Sequence, residues 1–278
     1  MLSTIARFIP RPIKPPLHSL FFTLADLVDA LPVNRDRTAP PAYLRKYIGE
    51  GDYHEIGQRF LRYHIEIAKL RPDEKVLDVG CGIGRMAAAL TGYLNDEGRY
   101  DGFDVVKRGI IWCRRHIGRK HPNFRFAHSD VYNKAFNPGG KSTAAEYQFP
   151  YSDASFDYVF LYSVFTHMIT RDLVNYTKEI ARVLKPGGRC LITYFLLNDE
   201  SIASIERKTS AFEFKPYSEE SRSISQETPE FALAYDEQFI AAQYDQHGLA
   251  LQRPIHYGSW SKRADFLDFQ DIVLAVKK

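Results

Sequence analysis

Residues 76–86 read VLDVGCGIGRM, an apolar run closed by three glycines at every second position, Gly80, Gly82 and Gly84. A series of this kind after an apolar run marks a strand that turns directly into a helix. Glycine enters left-handed backbone conformations without steric cost and lets a ligand approach the main chain. A dinucleotide turn requires G-x-G-x-x-G, but the third position is Arg85 and the glycine comes one residue early, at Gly84. A Walker phosphate loop would continue with Gly-Lys-Ser/Thr, which does not follow. What remains is D-x-G-x-G-x-G, with Asp78 at the end of the strand. A carboxylate there suits a ligand that carries a cation and is a poor neighbour for pyrophosphate.

Around this turn, strand-like and helix-like segments alternate. Residues 75–79, 99–103, 124–127, 156–163 (FDYVFLYS) and 187–195 (GGRCLITYF) read as buried strands. Helical patterns cover 53–70, 85–94, a segment through Trp112, and 171–184, with a further helix at 236–247. Strands are expected again at 249–257 and 270–278. This rhythm predicts an α/β fold with a Rossmann-like, mostly parallel seven-stranded sheet flanked by helices. Two excursions interrupt it, at 132–152 and 197–234, the second after strand five. Long connections at the carboxyl ends of parallel strands are where ligands bind, so both are expected to cap a substrate.

Composition sets outer limits. The 278 residues are 45% hydrophobic and 26% charged, as in a soluble enzyme, and the formal charge of +3 is too small to argue for nucleic acid. The segment around Trp112, Arg114 and Arg115 reads as a solvated helix face. Cys81, Cys113 and Cys190 are odd in number and widely spaced, which argues against a disulfide framework or zinc site and for a reducing, cytoplasmic setting. Residues 1–48 form an N-terminal arm ahead of a domain at 49–278. Seven of the 15 prolines lie before residue 42. Within the arm, Leu17, Leu20, Phe21, Leu24, Leu27, Val28 and Leu31 recur at helical spacing, while Asp26 and Asp29 count against a signal peptide. Two readings of the arm stay open: an amphipathic helix packed on the domain, or one that makes peripheral membrane contact or covers a lipophilic substrate.

VLDVGCGIGR, together with RVLKPGGRCLIT at 182–193, resembles the class I S-adenosylmethionine-dependent methyltransferases over roughly residues 50–278. The resemblance implies that Asp78, Gly80, Cys81, Gly82 and Gly84 lie beneath the methionine part of S-adenosylmethionine. It places Asp104 at the ribose, where a carboxylate offers two acceptor oxygens to a vicinal diol, with Val105 beside it. Asp130 would reach the adenine, Val131 its ring, and Ser163 the adenosine or amino-acid portion. Cys81 is then a small turn residue and not a nucleophile.

Methyl transfer from a sulfonium needs acceptor and methyl held at attack distance with water excluded, and an oxygen acceptor also needs its proton removed. In LYSVFTHMITRD (161–172), His167 lies just past the fourth strand and suits a general base. Its other reading is a histidine bonded to backbone at a helix start. Tyr162 and Phe165 are candidate cofactor walls, and Tyr53 a candidate lid residue. YSVF stands where base-methylating enzymes carry N/D-P-P-Y/F, so nucleic acid is not expected, and no acid–amide cluster calls for a metal. The expected activity is S-adenosylmethionine-dependent methyl transfer to a small-molecule acceptor at oxygen. The alternatives are a non-catalytic cofactor-binding or interaction protein on the same fold and, with its misplaced glycine, an NAD-dependent oxidoreductase. Acceptor identity and oligomeric state are open from sequence.

Overall fold

The computed structural model describes residues 39–45 and 51–278. The expectations for the N-terminal arm fall on residues 1–38 and 46–50 and lie outside the described residues, apart from a single helical turn at Ala42–Arg45. The parallel core of the sheet comprises β1 (Lys75–Val79), β2 (Arg99–Asp104), β3 (Phe124–His128), β4 (Phe156–Leu161) and β5 (Leu184–Tyr194). They stand in the order β3-β2-β1-β4-β5, so the chain reverses direction across the sheet between β1 and β4. A crevice opens at such a reversal, outside the carboxyl ends of the strands.

Three helices cover one face: α1 (Tyr53–Glu66), α2 (Arg85–Leu90) and α3 (Lys107–Cys113), which runs on into a wider π-turn at Arg114–Gly118. The Asp52 side chain starts α1 by accepting from the His54 and Glu55 N–H groups. The opposite face carries α4 (Thr170–Val183). Because both faces are covered, successive strand residues enter different cores. Val76, Tyr100, Tyr158 and Phe160 pack toward α1–α3, whereas Leu77, Val79, Val159 and Leu161 pack toward α4.

After β5 the chain builds a small cap: β6 (Leu196–Leu197), α5 (Asp199–Glu206), β7 (Lys215–Pro216), β8 (Ser221–Ser223) and β9 (Leu233–Asp236). Its strands form a second sheet in the order β6-β9-β8-β7. Helix α6 (Glu237–Gln246) leads back to β10 (Leu249–Leu251), and β11 (Asp271–Lys277) inserts antiparallel between β10 and β5. The seven-stranded sheet is therefore the one expected. The internal order of 197–234 was not, because its short strands carry Ser, Lys and Pro in place of an apolar alternation. Phe195, Phe212, Phe214 and Trp260 give the cap an apolar core of its own. Asp271 ties it to the sheet, accepting from the Leu196 N–H (2.6 Å), the Gly258 N–H (2.6 Å) and the Trp260 indole (2.9 Å).

Several boundaries move. The strand expected at 249–257 stops at Leu251, ahead of Pro254, which has no N–H for a ladder. The helix expected to reach residue 94 closes at Leu90. Strand β5 begins at Leu184, and its register against β4 shifts between Phe156 and Tyr158, where Pro186, Gly187 and Gly188 bulge.

Candidate active site

The glycine turn lies at the carboxyl end of β1. Gly80 (φ 82°), Gly82 (φ 56°) and Gly84 (φ 75°) all occupy the left-handed region, and a side chain at Gly80 would collide with Val164. The Gly80 and Cys81 N–H groups donate to the Phe103 carbonyl, at 2.8 and 3.1 Å, which fastens the turn to β2. Gly84 caps α2 and stands back from the cavity wall; Gly80, Cys81 and Gly82 line it. Burial pushes the Cys81 thiol well up, so it is no thiolate nucleophile.

Two buried carboxyl groups flank this turn. Asp78 is 2% exposed, and its Oδ2 accepts from the Tyr100 hydroxyl at 2.6 Å. Burial, opposed by that hydrogen bond and reinforced by Asp104, raises its pKa to about 8. The Asp104 Oδ2 accepts from the Gly82 N–H (2.8 Å) and Oδ1 from the Val106 N–H (2.7 Å). Burial raises its pKa too, against those two bonds. An acid at this strand end is thus an internal support of the turn, not a free surface group. Each carboxylate oxygen retains a second lone pair for a ligand hydroxyl.

Val105 and Val131 face the same cavity. Asp130 does not. With β3 ending at His128, side chains alternate past its end. Ser129 turns inward, and Asp130 turns out to solvent, its side chain 44% exposed and 4.0 Å from Lys141 Nζ. The structure therefore does not bring the expected adenine-side acid to the wall.

Ser163, two residues past the end of β4, has φ 57°, a strained value for a residue with a side chain. Its N–H donates to Thr193 Oγ1 (2.8 Å), and its Oγ accepts from Gln270 Nε2 (3.0 Å). Thr193 in turn donates to Gln270 Oε1 at 2.6 Å. Gln270 immediately precedes the last strand and carries no sequence signal. Only the antiparallel return of β11 beside β5 brings it here.

Four residues on, His167 sits in a short turn with its Nδ1 2.8 Å from the Glu230 carbonyl oxygen in the cap. A carbonyl only accepts, so Nδ1 holds the proton and Nε2 carries the lone pair. Burial lowers the His167 pKa, opposed by the backbone contacts, which favours the neutral ring. The backbone bond and a basic Nε2 coexist, so the two sequence readings of this residue are compatible. Phe136 meets the ring edge-on, with centroids 5.2 Å apart.

Asp78, Gly80, Cys81, Gly82, Asp104, Ser163, His167 and Gln270 line one cavity of about 890 Å³. Its floor is the carboxyl–glycine layer, and Phe195, Phe212, Phe231 and Phe269 from the cap side make its apolar roof. Arg59 and Asp268 form an ion pair at 3.0 Å on one wall, near Arg85. Neither sequence motif reached Arg59, Asp268 or the aromatic roof. Among the described residues, no three His, Cys, Asp or Glu side chains converge on a metal position, and no helix is long and apolar enough to cross a membrane.

A family model described as a methyltransferase domain matches residues 76–188. The O-methyltransferase cnsE of Penicillium expansum is 31% identical over 123 residues, 43% of this chain and 37% of its own. The ubiquinone/menaquinone biosynthesis C-methyltransferase UbiE of Teredinibacter turnerae is 28% identical over 146 residues, 52% of this chain and 51% of its own. The chain thus spans about half or less of the length of these curated relatives. Among solved structures, a Pyrococcus horikoshii protein, PH0226, superposes with a TM-score of 0.57 at 17% identity, over 86% of this chain and all of that one. The matched model thus makes residues 76–188 similar to a methyltransferase domain, in keeping with the resemblance of the sequence to the class I S-adenosylmethionine-dependent methyltransferases.

Proposed function

We propose that this chain transfers the methyl group of S-adenosylmethionine to an apolar small molecule, at oxygen. One observation carries the reading: the glycine turn with its two carboxyls and the cap-bound His167 face a single cavity under an aromatic roof. The donor set fits the cofactor. Asp78 is a buried carboxyl with no cation beside it among the described residues, held protonated to about pH 8 by burial, and a sulfonium or ammonium would complement it. Asp104 offers spare lone pairs to a ribose diol. The cavity, about 890 Å³, is at the upper end of small-ligand sites, which favours a cofactor and an acceptor held together.

When bound, S-adenosylmethionine supplies an electrophilic methyl carbon on a sulfonium that leaves as a neutral thioether. The chain's own residues do the rest. His167 Nε2 takes the proton of the acceptor hydroxyl as that oxygen bonds to the methyl carbon. The Glu230 carbonyl holds the Nδ1 proton and with it the tautomer. The aromatic roof excludes water from the sulfonium. An oxygen acceptor is supported by His167 and, at low identity, by the O-methyltransferase relative, whereas the C-methyltransferase relative makes a carbon acid the competing acceptor.

Calorimetric titration with S-adenosylmethionine, S-adenosylhomocysteine and NAD tests the cofactor. The first two should bind and NAD should not. Incubation with methyl-labelled S-adenosylmethionine and pooled phenolic or hydroxylated apolar compounds tests transfer. Cofactor binding without transfer to any pool would favour a non-catalytic binding protein, and NAD binding alone would overturn the reading.

A further inference from the structure

Arg59 projects from α1 into the wall of the cavity, where Asp268 holds it. Asp268 is itself fixed. Its side chain is 4% exposed, its Oδ1 accepts from the Phe269 N–H at 2.6 Å, and its carbonyl accepts from the Ser259 N–H at 3.0 Å. Arg59 Nε and Asp268 Oδ2 meet at 3.0 Å as opposite charges, and neither atom takes part in a hydrogen bond. The Nε is sealed from water although the side chain as a whole is 33% exposed, so that exposure belongs to the rest of the side chain. Among the described residues the two terminal nitrogens make no hydrogen bond or ion pair. An arginine anchored at its Nε edge keeps the paired donors of its end, whose spacing matches the two oxygens of a carboxylate.

A second unspent donor stands beside it. Tyr162 directly follows β4, and its ring packs on Phe60, the neighbour of Arg59, with centroids 4.1 Å apart. Tyr162 lines the same cavity, and among the described residues its hydroxyl has no hydrogen-bond partner. Burial, reinforced by Asp268, pushes its pKa up to about 12, so the phenol keeps its proton and can donate it to an acceptor. Arg85, 6% exposed at the start of α2, adds a second guanidinium to this wall. Burial lowers its pKa, and the nearness of Arg59 adds to that. Asp52 and Glu55 also reach the cavity, but both are exposed to water, and Asp52 is occupied in capping α1.

We propose that Arg59 and Tyr162 form a carboxylate-binding subsite in this wall, the end of the guanidinium and the phenol donating to the two oxygens of the ligand. A phosphate would bring about two charges and three acceptor oxygens to a wall with one unspent guanidinium end, and so fits less well. The carboxylate has two sources. One is the cofactor, whose methionine part carries it. The other is the acceptor, which would then bear an acid group on its apolar body. Both rest on the cofactor reading proposed above, and the second rests on the transfer reading as well.

Calorimetry on the full chain and on Arg59→Gln tests the subsite and separates the sources. S-adenosylmethionine and its decarboxylated analogue are titrated into both proteins. Benzoate and benzamide are titrated into both after saturation with S-adenosylhomocysteine. If the cofactor supplies the carboxylate, the parent should prefer S-adenosylmethionine to the analogue roughly ten- to a hundredfold, and Arg59→Gln should lose most of that preference. If the acceptor supplies it, Arg59→Gln should leave S-adenosylmethionine unchanged and lose the parent's preference for benzoate over benzamide. Methylthioadenosine lacks the amino-acid end, so equal binding to parent and variant reports that the variant is folded. Tyr162→Phe keeps the ring on Phe60 and the Arg59–Asp268 pair. It should lose a smaller part of the same preference, and it decides the outcome if Arg59→Gln does not fold. The proposal is overturned if the parent shows no preference for the acid in either titration, or if the folded variant retains that preference in full. Failure of every adenosyl compound to bind the parent would overturn the cofactor reading and the subsite with it, whereas methylthioadenosine binding without any acid preference would overturn the subsite alone.

Discussion

The Tyr100 hydroxyl donates to Asp78 Oδ2 across 2.6 Å, at a point where both side chains are shut off from water. Tyr100 lies on β2 and Asp78 on β1, two register positions apart and on the same face, so the pairing of the two central strands sets the contact. The hydrogen bond favours the carboxylate, but burial outweighs it and leaves the pKa of Asp78 at about 8. Burial thus favours the protonated form of Asp78, and a cation beside it would favour the carboxylate.

The first prediction concerns pH. Between about pH 4 and pH 8 the folded chain keeps a proton on Asp78 that the unfolded chain has released, so the folded state binds more protons. The contribution of Asp78 to stability without cofactor should therefore fall as pH rises through that window. Asp271 and Asp172, each raised to about 6 chiefly by burial, act in the same direction over its lower half. His64, His167 and His247, whose pKa values burial lowers, act in the opposite direction below about pH 7 in any variant, so the contribution of Asp78 is read as a difference: the thermal midpoint of the parent minus that of Asp78→Asn should fall from pH 6 to 8. Affinity for S-adenosylmethionine should rise over the same interval, with proton release detectable by calorimetry in buffers of different ionisation heat. Equal slopes in parent and variant would place the titrating group elsewhere.

Asp104 combines two tasks, which a substitution should expose together. Removing its carboxylate strands the Gly82 and Val106 N–H groups, which now donate to it at 2.8 and 2.7 Å. Each unsatisfied buried donor costs about 1–3 kcal/mol. Asp104→Ala should lower the thermal midpoint without cofactor and weaken S-adenosylmethionine roughly ten- to a hundredfold. Asp104→Asn keeps one acceptor oxygen and should lose less of both. Differential scanning with and without cofactor separates the two losses.

Asp271 makes a prediction about the cap. Three donors from two segments, Leu196, Gly258 and Trp260, converge on this one buried carboxyl. Asp271→Ala orphans them and should cost roughly 3 kcal/mol or more. The loss should fall first on the cap. Hydrogen exchange should quicken in residues 196–236 before it does so in β1 or β4, and the β1 turn should keep its cofactor affinity. Uniform loss of protection across both sheets would show the cap and sheet to be one cooperative unit.

The parallel sheet was legible because each central strand is a short apolar run bounded by turn residues, and Asp78, Gly80 and Gly82 stand at fixed offsets from such a run. What the sequence hid depends on distant pairing. Gln270 reaches Ser163 across 107 positions, and Arg59 reaches Asp268 across 209. No local pattern announces either contact. Asp130 was expected at the adenine from its place after the third strand, but the alternation of side chains past the end of β3 turns Ser129 toward the cavity and Asp130 away from it. The cap sheet stayed invisible because strands of two to four residues are too short for a periodicity to register.

His167 can be made to reveal which of its two nitrogens matters. The Nδ1 proton is bound to the Glu230 carbonyl at 2.8 Å, so any variant that drops it also loosens the cap from the turn after β4. Asparagine places an amide N–H near the Nδ1 position and nothing basic near Nε2. His167→Asn should therefore keep most of the stability and cofactor affinity, while turnover falls roughly a hundredfold. His167→Ala should lose turnover to a similar degree and some stability as well. The pH profile adds an independent readout. Burial lowers the His167 pKa below its ordinary value of 6.5, so the ring stays neutral, and turnover is sustained, to a more acidic pH than an exposed histidine would permit. Asp172 titrates in the same cavity near pH 6, so the acidic limb must be compared between variants. A limb that persists unchanged in the residual activity of His167→Asn belongs to Asp172 or to the acceptor. Near-normal turnover in His167→Asn would assign the histidine to holding the cap, and the base would have to be sought elsewhere in the cavity.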